Sequence, residues 1–301
     1  MYIKLTIITI CCFLNLPAFA LDSNDVFFKK INSMFSEANP GIDAHITLGG
    51  NDQIGRQLQI CKNSSFSDKE SQSIDIDFLS RVEIPITDFG IVGFNISSLQ
   101  GLRNFKLTSL SVRTEESVVL DLSPLRNMPL KRLTIINPKS LKNYDVVVEL
   151  PLEMLALRVK EFPESLQTLI GKLPIKDLSV EKADIVNLEF ICNLSLENLY
   201  LNKTKVSSLE PIQNTALKSL AIYNSPIADL TPLQALPLEK LTIVNCPVRD
   251  LSPLAKCPLK RVTLTNIPVG IKELAVLFDK QLFSYDISIS GWNVDGSWRV
   301  K

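Results

Sequence analysis

The sequence predicts an α/β solenoid, with a parallel β-sheet on its concave face, short helical or irregular returns on its convex face, and a cap at each end. Three observations predict it. The pattern apolar-x-x-apolar-x-apolar recurs eight times, a second motif, Asp-Leu-Ser/Thr-Pro-Leu, falls between copies of the first, and the later copies stand 21 residues apart every time. Self-similarity at such a period marks stacked coils, none of which can bury its apolar face alone.

Residues 1–20 precede this pattern. Lys4 is their one charged side chain, an apolar run from Leu5 to Leu16 follows, and Ala18-Phe19-Ala20 puts small residues where a signal peptidase reads. This is the composition of a secretory signal cleaved after Ala20. The run is too short to cross a bilayer, and Ile10 before Cys11 is too bulky for a lipobox. The remaining chain carries 31 Lys and Arg (32 less Lys4) against 32 Asp and Glu. A net charge near −1 gives no electrostatic reason to bind nucleic acid or an anionic membrane. The expectation is export to the periplasm or the extracellular space, with no membrane insertion once the signal is removed.

Residues 21–78 read as an N-terminal cap. Ser23 or Asp25 starts a helix whose Phe27, Ile31, Met34 and Phe35 share one face, and Asn39-Pro40-Gly41 ends it. A strand through Ile46 and another through Leu58 and Ile60 follow, joined by a turn at Gly49-Gly50-Asn51-Asp52. Residues 62–73, rich in Ser and charge, read as mobile.

Residues 79–267 read as the solenoid. Its triples are Leu107/Leu110/Val112, Leu130/Leu133/Ile135, Leu152/Leu155/Leu157, Ile175/Leu178/Val180, Leu196/Leu199/Leu201, Leu217/Leu220/Ile222, Leu238/Leu241/Ile243 and Leu259/Val262/Leu264. The first spacings are 23, 22 and 23 residues, the rest 21. Degenerate units are expected at Leu79/Val82/Ile84 and at Leu282/Tyr285/Ile287. Period two within each triple sends its apolar residues to one side of a short strand. In Asp121-Leu-Ser-Pro-Leu125, Asp229-Leu-Thr-Pro-Leu233 and Asp250-Leu-Ser-Pro-Leu254, Ser or Thr is expected to cap a short helical turn and Pro to occupy its first position. Pro129, Pro151, Pro174, Pro237 and Pro258 then end each return. The residue after each first apolar position alternates in sign, Lys131, Glu153, Lys176, Glu197, Lys218, Glu239, Lys260, so stacked coils set opposite charges side by side. Residues 268–301 read as a C-terminal cap: a helix around Lys272 to Phe278, then a hairpin turning at Asn293 to Gly296, with Trp292 and Trp298 over the last coil.

These motifs resemble those of leucine-rich-repeat proteins. The "DLSPL…PLxxLxL" form is similar to a bacterial subgroup found in planctomycete-like lineages, in exported proteins and beside serine/threonine kinase domains. Phe35 to Ile42 (FSEANPGI) resembles the lead-in that precedes the repeats there. The resemblance covers most of residues 21–301. It implies an interaction module and brings no catalytic residue, since the chain has no Gly-rich loop, HRD or DFG signature of a kinase.

The chemical inventory points the same way. His45 is the one histidine, and no serine in a nucleophile-elbow context lies near it. No zinc-ligand spacing is visible. Asp75 and Asp77 lack the Gly and Glu of a calcium loop and read as the solvent face of the first strand. Gly49, Gly50 and Gly55 match neither phosphate-loop spacing. Of the cysteines beyond the signal, Cys246 takes the inward slot filled by Thr204 and Ser225, Cys257 lies at the far end of the same return, Cys192 reads as core, and Cys61 as a candidate free thiol. Sequons start at Asn63, Asn95, Asn193 and Asn202. No cofactor and no metal is expected.

The concave face is the surface the sequence nominates. Its middle column reads Ser111, Thr134, Ala156, Ser179, Tyr200, Ala221, Thr242, Thr263, and the next Arg113, Ile136, Arg158, Glu181, Asn202, Tyr223, Val244, Thr265. Asn198, Tyr200, Asn202, Tyr223, Thr242 and Val244 are the candidate partner-binding residues, because tyrosines set among small residues suit a hot spot. Three functions stand: an exported, non-catalytic module binding a protein or glycan; a self-associating structural protein of the envelope; and a hydrolase using His45 in the N-terminal cap.

Overall fold

The structure, a computed structural model, describes residues 26–51, 55–62, 72–96, 98–114, 116, 118–278 and 287–290. The signal segment, Asp52 of the expected turn, residues 63–71 of the expected mobile stretch and the C-terminal hairpin with its two tryptophans lie outside them.

One twelve-stranded sheet runs the length of the molecule. Its strands are β1 (Ala44–Asn51), β2 (Gly55–Lys62), β3 (Ile86–Val92), β4 (Ser109–Arg113), β5 (Arg132–Ile136), β6 (Met154–Arg158), β7 (Asp177–Glu181), β8 (Asn198–Asn202), β9 (Ser219–Tyr223), β10 (Lys240–Val244), β11 (Arg261–Thr265) and β12 (Ile287–Ser290), side by side in chain order. β1 and β2 are antiparallel; every later pair is parallel. The eight predicted triples fall on β4 to β11, and like positions pair without slip: Leu199 opposes Leu220, which opposes Leu241, which opposes Val262. This is an α/β leucine-rich-repeat solenoid. Its core is the stack of triples together with Leu or Ile from the returns, such as Leu209, Leu230 and Leu251, each 1% exposed or less.

Both expected flanking units need correction. Leu79 lies in a 3₁₀ turn, Asp77–Arg81, not in a strand. Asp75-Ile76-x-x-Leu79 is a copy of the return motif Asp121-Leu122-x-x-Leu125. The true triple is Ile86/Phe89/Ile91, 21 residues before Leu107/Leu110/Val112, with Phe89 opposite Leu110 and Ile91 opposite Val112. At the other end Ile287 opposes Val262, so it fills the second apolar position and not the third.

The returns are mostly 3₁₀ turns of three to six residues, with Pro at their start in four coils. The cap is not the Ser or Thr beside that proline. Asp121, Asp229 and Asp250 each accept the backbone N–H two residues on through Oδ1, at 2.8 Å. Asp75 does the same for Asp77, Asn187 for Glu189, and the hydroxyls of Ser98 and Ser208 for Gln100 and Glu210. The carboxylate reaches the orphan amide because leucine between them holds the chain bent over the core. Asp75 and Asp77 are therefore turn residues, and Asp77 also accepts from Gly101 of the next coil, at 3.1 Å.

Six of the solenoid strands are followed by a left-handed non-glycine residue. Asn137, Lys182, Lys203, Asn224, Asn245 and Asn266, each directly after a strand, have φ between 50° and 62°. Asparagine tolerates this conformation. Its amide adds a ladder: Asn224 donates to Asn202 at 3.0 Å, Asn245 to Asn224 and Asn266 to Asn245, both at 2.7 Å.

At the N-terminal end, α1 (Val26–Ala38) lays Ile31 and Phe35 on the first coils, with Phe35 edge-on to Phe78 at 6.1 Å. Asn39 ends the helix and is 5% exposed. Its amide donates to the Asp75 carbonyl at 2.9 Å and accepts the Asp75 N–H at 2.7 Å, tying the cap to the first return. Gly49 and Gly50, expected in the hairpin turn, are strand residues of β1 opposite Gln57 and Arg56. Two further helices, α2 (Glu164–Ile170) and α3 (Ile271–Phe278), are set on the convex side and at the C-terminal end, α2 packing on its neighbouring returns and α3 on the last one.

The sign-alternating row forms as expected. Lys131–Glu153 (3.0 Å), Lys176–Glu197 (3.8 Å), Lys218–Glu197 (2.8 Å) and Lys260–Glu239 (2.8 Å) are ion pairs between neighbouring coils. All are exposed, so each contributes little stability and mainly favours the correct register.

Candidate functional site

The parallel register turns the nominated columns into real surface rows. Tyr200 faces Ala221 and Ser179 across the sheet, while Tyr223 stands in the outer column between Asn202 and Val244. The small Ala221 leaves a diagonal gap, and the two rings fill it. Their centroids are 5.3 Å apart with planes inclined by 37°, an arrangement favoured by ring quadrupoles.

The surroundings hold Tyr200 in place. Asn202 donates to its hydroxyl at 3.2 Å and accepts from Asn224 through its own carbonyl. Asn202 is 2% exposed; it positions the tyrosine instead of facing outward. Burial raises the Tyr200 hydroxyl pKa far above the usual value, and the Glu181 carboxylate and Tyr223 push it the same way. Burial alone raises that of Tyr223. Glu181, itself buried, pairs with Arg158 at 3.5 Å. The Arg158 Nε makes no hydrogen bond within that ion pair. Asn198 donates to the Asp177 carboxylate beside it, and Thr242 and Val244 are half-buried. The six candidates thus form one patch across β8 to β10, with the Arg158–Glu181 pair, which sequence reasoning placed in a column but not in the site, as its N-terminal boundary.

A second concave feature was missed. A shallow, largely apolar depression between β2, β3 and β4 is lined by Gln57, Gln59, Cys61, Asp88, Gly90, Val92, Ser109 and Ser111, with Leu58 and Phe89 also bordering it. Gly90 occupies the middle column, and a Cβ there would meet Gln59 at 3.3 Å. Asp88 accepts from Arg132 at 3.0 Å and from Thr87 at 2.9 Å. Placing the first triple at Leu79 hid this site; counting 21 residues back from Ser111 finds Gly90.

His45 is exposed on β1, and Cys61 is its cross-strand neighbour on β2. Cys246 and Cys257 are buried and donate their thiols to the Val244 carbonyl (3.4 Å) and the Leu233 carbonyl (3.1 Å). Burial raises the Cys246 thiol pKa. Cys192, expected in the core, is exposed: it follows a 3₁₀ turn whose inward residue is Ile191. Of the sequons on described residues, Asn95 and Asn202 are buried while Asn193 is exposed. Among the described residues no cluster of three His, Cys, Asp or Glu could hold a metal ion, and no helix is long and apolar enough to cross a membrane.

No family model matches the chain, and no curated protein does. Solved structures do. The chain is similar to an internalin from Listeria monocytogenes at 19% identity and a TM-score of 0.54, covering 78% of this chain and 82% of that one. Similarity also extends to internalin C2 of the same species (20% identity, TM-score 0.43, 70% and 80% covered). A plant peptide hormone receptor in complex with RGF2 follows, at 16% identity and a TM-score of 0.47, with 72% of this chain and 41% of the receptor covered. The first likeness agrees with the repeat geometry: the chain has the leucine-rich-repeat fold.

Proposed function

We propose that this protein is an exported, non-catalytic binding module that holds a protein partner on its concave face, with Tyr200 and Tyr223 as the anchor. The observation that carries this reading is the tyrosine pair. Two half-buried rings, one fixed by a buried asparagine, offer rigid contact area that loses little side-chain entropy on binding. Asn198, Thr242 and Val244 border the pair with small or polar groups. The hydrolase alternative would need a group to orient His45, and that residue sits exposed on an edge strand.

A glycan partner is a second reading, favoured by the depression over Gly90. A sugar's hydroxyls would meet Gln57, Gln59 and Ser111 there, and its apolar face the surface beside Val92.

The test is affinity capture from the producing cell's envelope and medium, with the protein and its Tyr200→Ala/Tyr223→Ala variant. A protein captured by the first and lost by the second supports the reading; capture unchanged by the variant removes the tyrosines from the site. Binding to an oligosaccharide array that disappears in Gln59→Ala, with the tyrosine variant unaffected, would favour the glycan.

A further inference from the structure

We propose that β1 is the interface of a two-fold dimer, in which two copies of this chain join edge to edge into one continuous sheet. β1 is the terminal strand of the sheet, and among the described residues β2 is the one strand paired with it. A terminal strand exposes a row of unpaired N–H and C=O groups, and proteins that stay monomeric blunt such edges with charge, proline, bulges or short length. β1 has none of these. It is eight residues long, against five in each strand from β4 to β11, and its sequence, Ala-His-Ile-Thr-Leu-Gly-Gly-Asn, contains no Lys, Arg, Asp, Glu or Pro.

The occupant that fits is a second β1. Antiparallel pairing of a strand with itself is self-complementary about a two-fold axis normal to the sheet. Face alternation restricts the register. Ile46 and Leu48 oppose Ile60 and Leu58 on the core face, while Thr47 opposes Gln59 on the concave face. A slip by one residue would set core against concave positions. An axis through Thr47 places Ile46 of each copy against Leu48 of the other. Leu48, on this terminal strand, is half-exposed among the described residues, so the second copy completes the layer. Both concave faces then open on the same side, which would let one elongated partner meet two tyrosine pairs.

Sedimentation equilibrium on the protein as isolated from its producing cell should show the mass doubling as concentration rises across roughly 1 μM to 1 mM. Thr47→Lys sets like charges opposite each other at the axis and should stay monomeric with an unchanged melting temperature; Thr47→Glu should do the same. An equimolar mixture of the two should regain the doubled mass. A monomer at every concentration, whether the edge stays bare or the chain's own N-terminal segment covers it, would overturn the proposal. So would a dimer that survives in Thr47→Lys alone.

Discussion

Asn39 shows how much one side chain can decide. Its amide bridges both backbone groups of Asp75 from within the core. Alanine there removes both hydrogen bonds to the Asp75 backbone, so Asn39→Ala should lower the unfolding free energy by about 1–3 kcal/mol in urea titrations, with the loss centred on the N-terminal cap. Leu241, fully buried, allows a sharper contrast. Leu241→Ala should cost about 2–5 kcal/mol, and Leu241→Asp should unfold the middle coils, since it buries a charge without a counter-ion. Lys218→Ala, at an exposed position in the charge row, should change little. The two tyrosines make a prediction about pH. Their hydroxyls ionise above the usual value in the folded chain, so their contribution is complete below the unfolded value near 10 and disappears as pH rises through the folded one. Ultraviolet titration should show Tyr200 and Tyr223 ionising late, in step with unfolding; Tyr200→Phe should remove one of these late transitions.

At the scale of the coil, the left-handed residue after six of the strands sets a test of the asparagine ladder. Asn245→Gly keeps that backbone conformation available and loses only the amide bonds to Asn224 and Asn266, whereas Asn245→Ala loses those bonds and strains the backbone as well. Alanine should therefore be the more destabilising by about 1 kcal/mol in the same titration; equal losses would mean that the ladder alone matters. The strands were legible because period two and a fixed repeat fix both face and register, and β4 to β11 follow them residue for residue. The returns were less legible. A leucine in Asp-Ile-Asp-Phe-Leu79 satisfies the strand pattern as well as the return pattern, and burial in the stack distinguishes them only once the neighbours are placed. The tyrosines could be assigned to columns from the repeat, but their contact depends on Ala221 leaving a diagonal gap. Asn202 could not be told from a surface residue, because its burial accompanies hydrogen bonds to Tyr200 on its own strand and Asn224 on the next coil.

Across the whole molecule, stability is spread over many similar layers, and so is its response to acid. Glu153, Glu197 and Glu239 are held below the ordinary carboxylate range, first by hydrogen bonds from Lys131, Lys218 and Lys260. Because the folded values are depressed, their contribution is present above the unfolded value and disappears as pH falls through the folded one. The melting temperature should hold steady from neutrality to about pH 5 and decline below about pH 4.5, and added salt should shallow the decline. A profile indifferent to salt would mean that the charge row contributes nothing to the acid response.

The constant spacing from Ile175 onward has a further consequence for how such a chain can change length. Every junction from β7 to β11 joins like positions at the same offset, so the apolar upper surface of one coil matches the apolar lower surface of any other. A tandem duplication of one coil would insert between existing neighbours and leave both ends unaltered, setting one pair of like charges side by side in the charge row; a surplus residue would be taken up in the return, as in the 22- and 23-residue coils before Ile175. The gene can therefore grow by whole units, and each addition would lengthen the concave face by one strand spacing, about 4.8 Å.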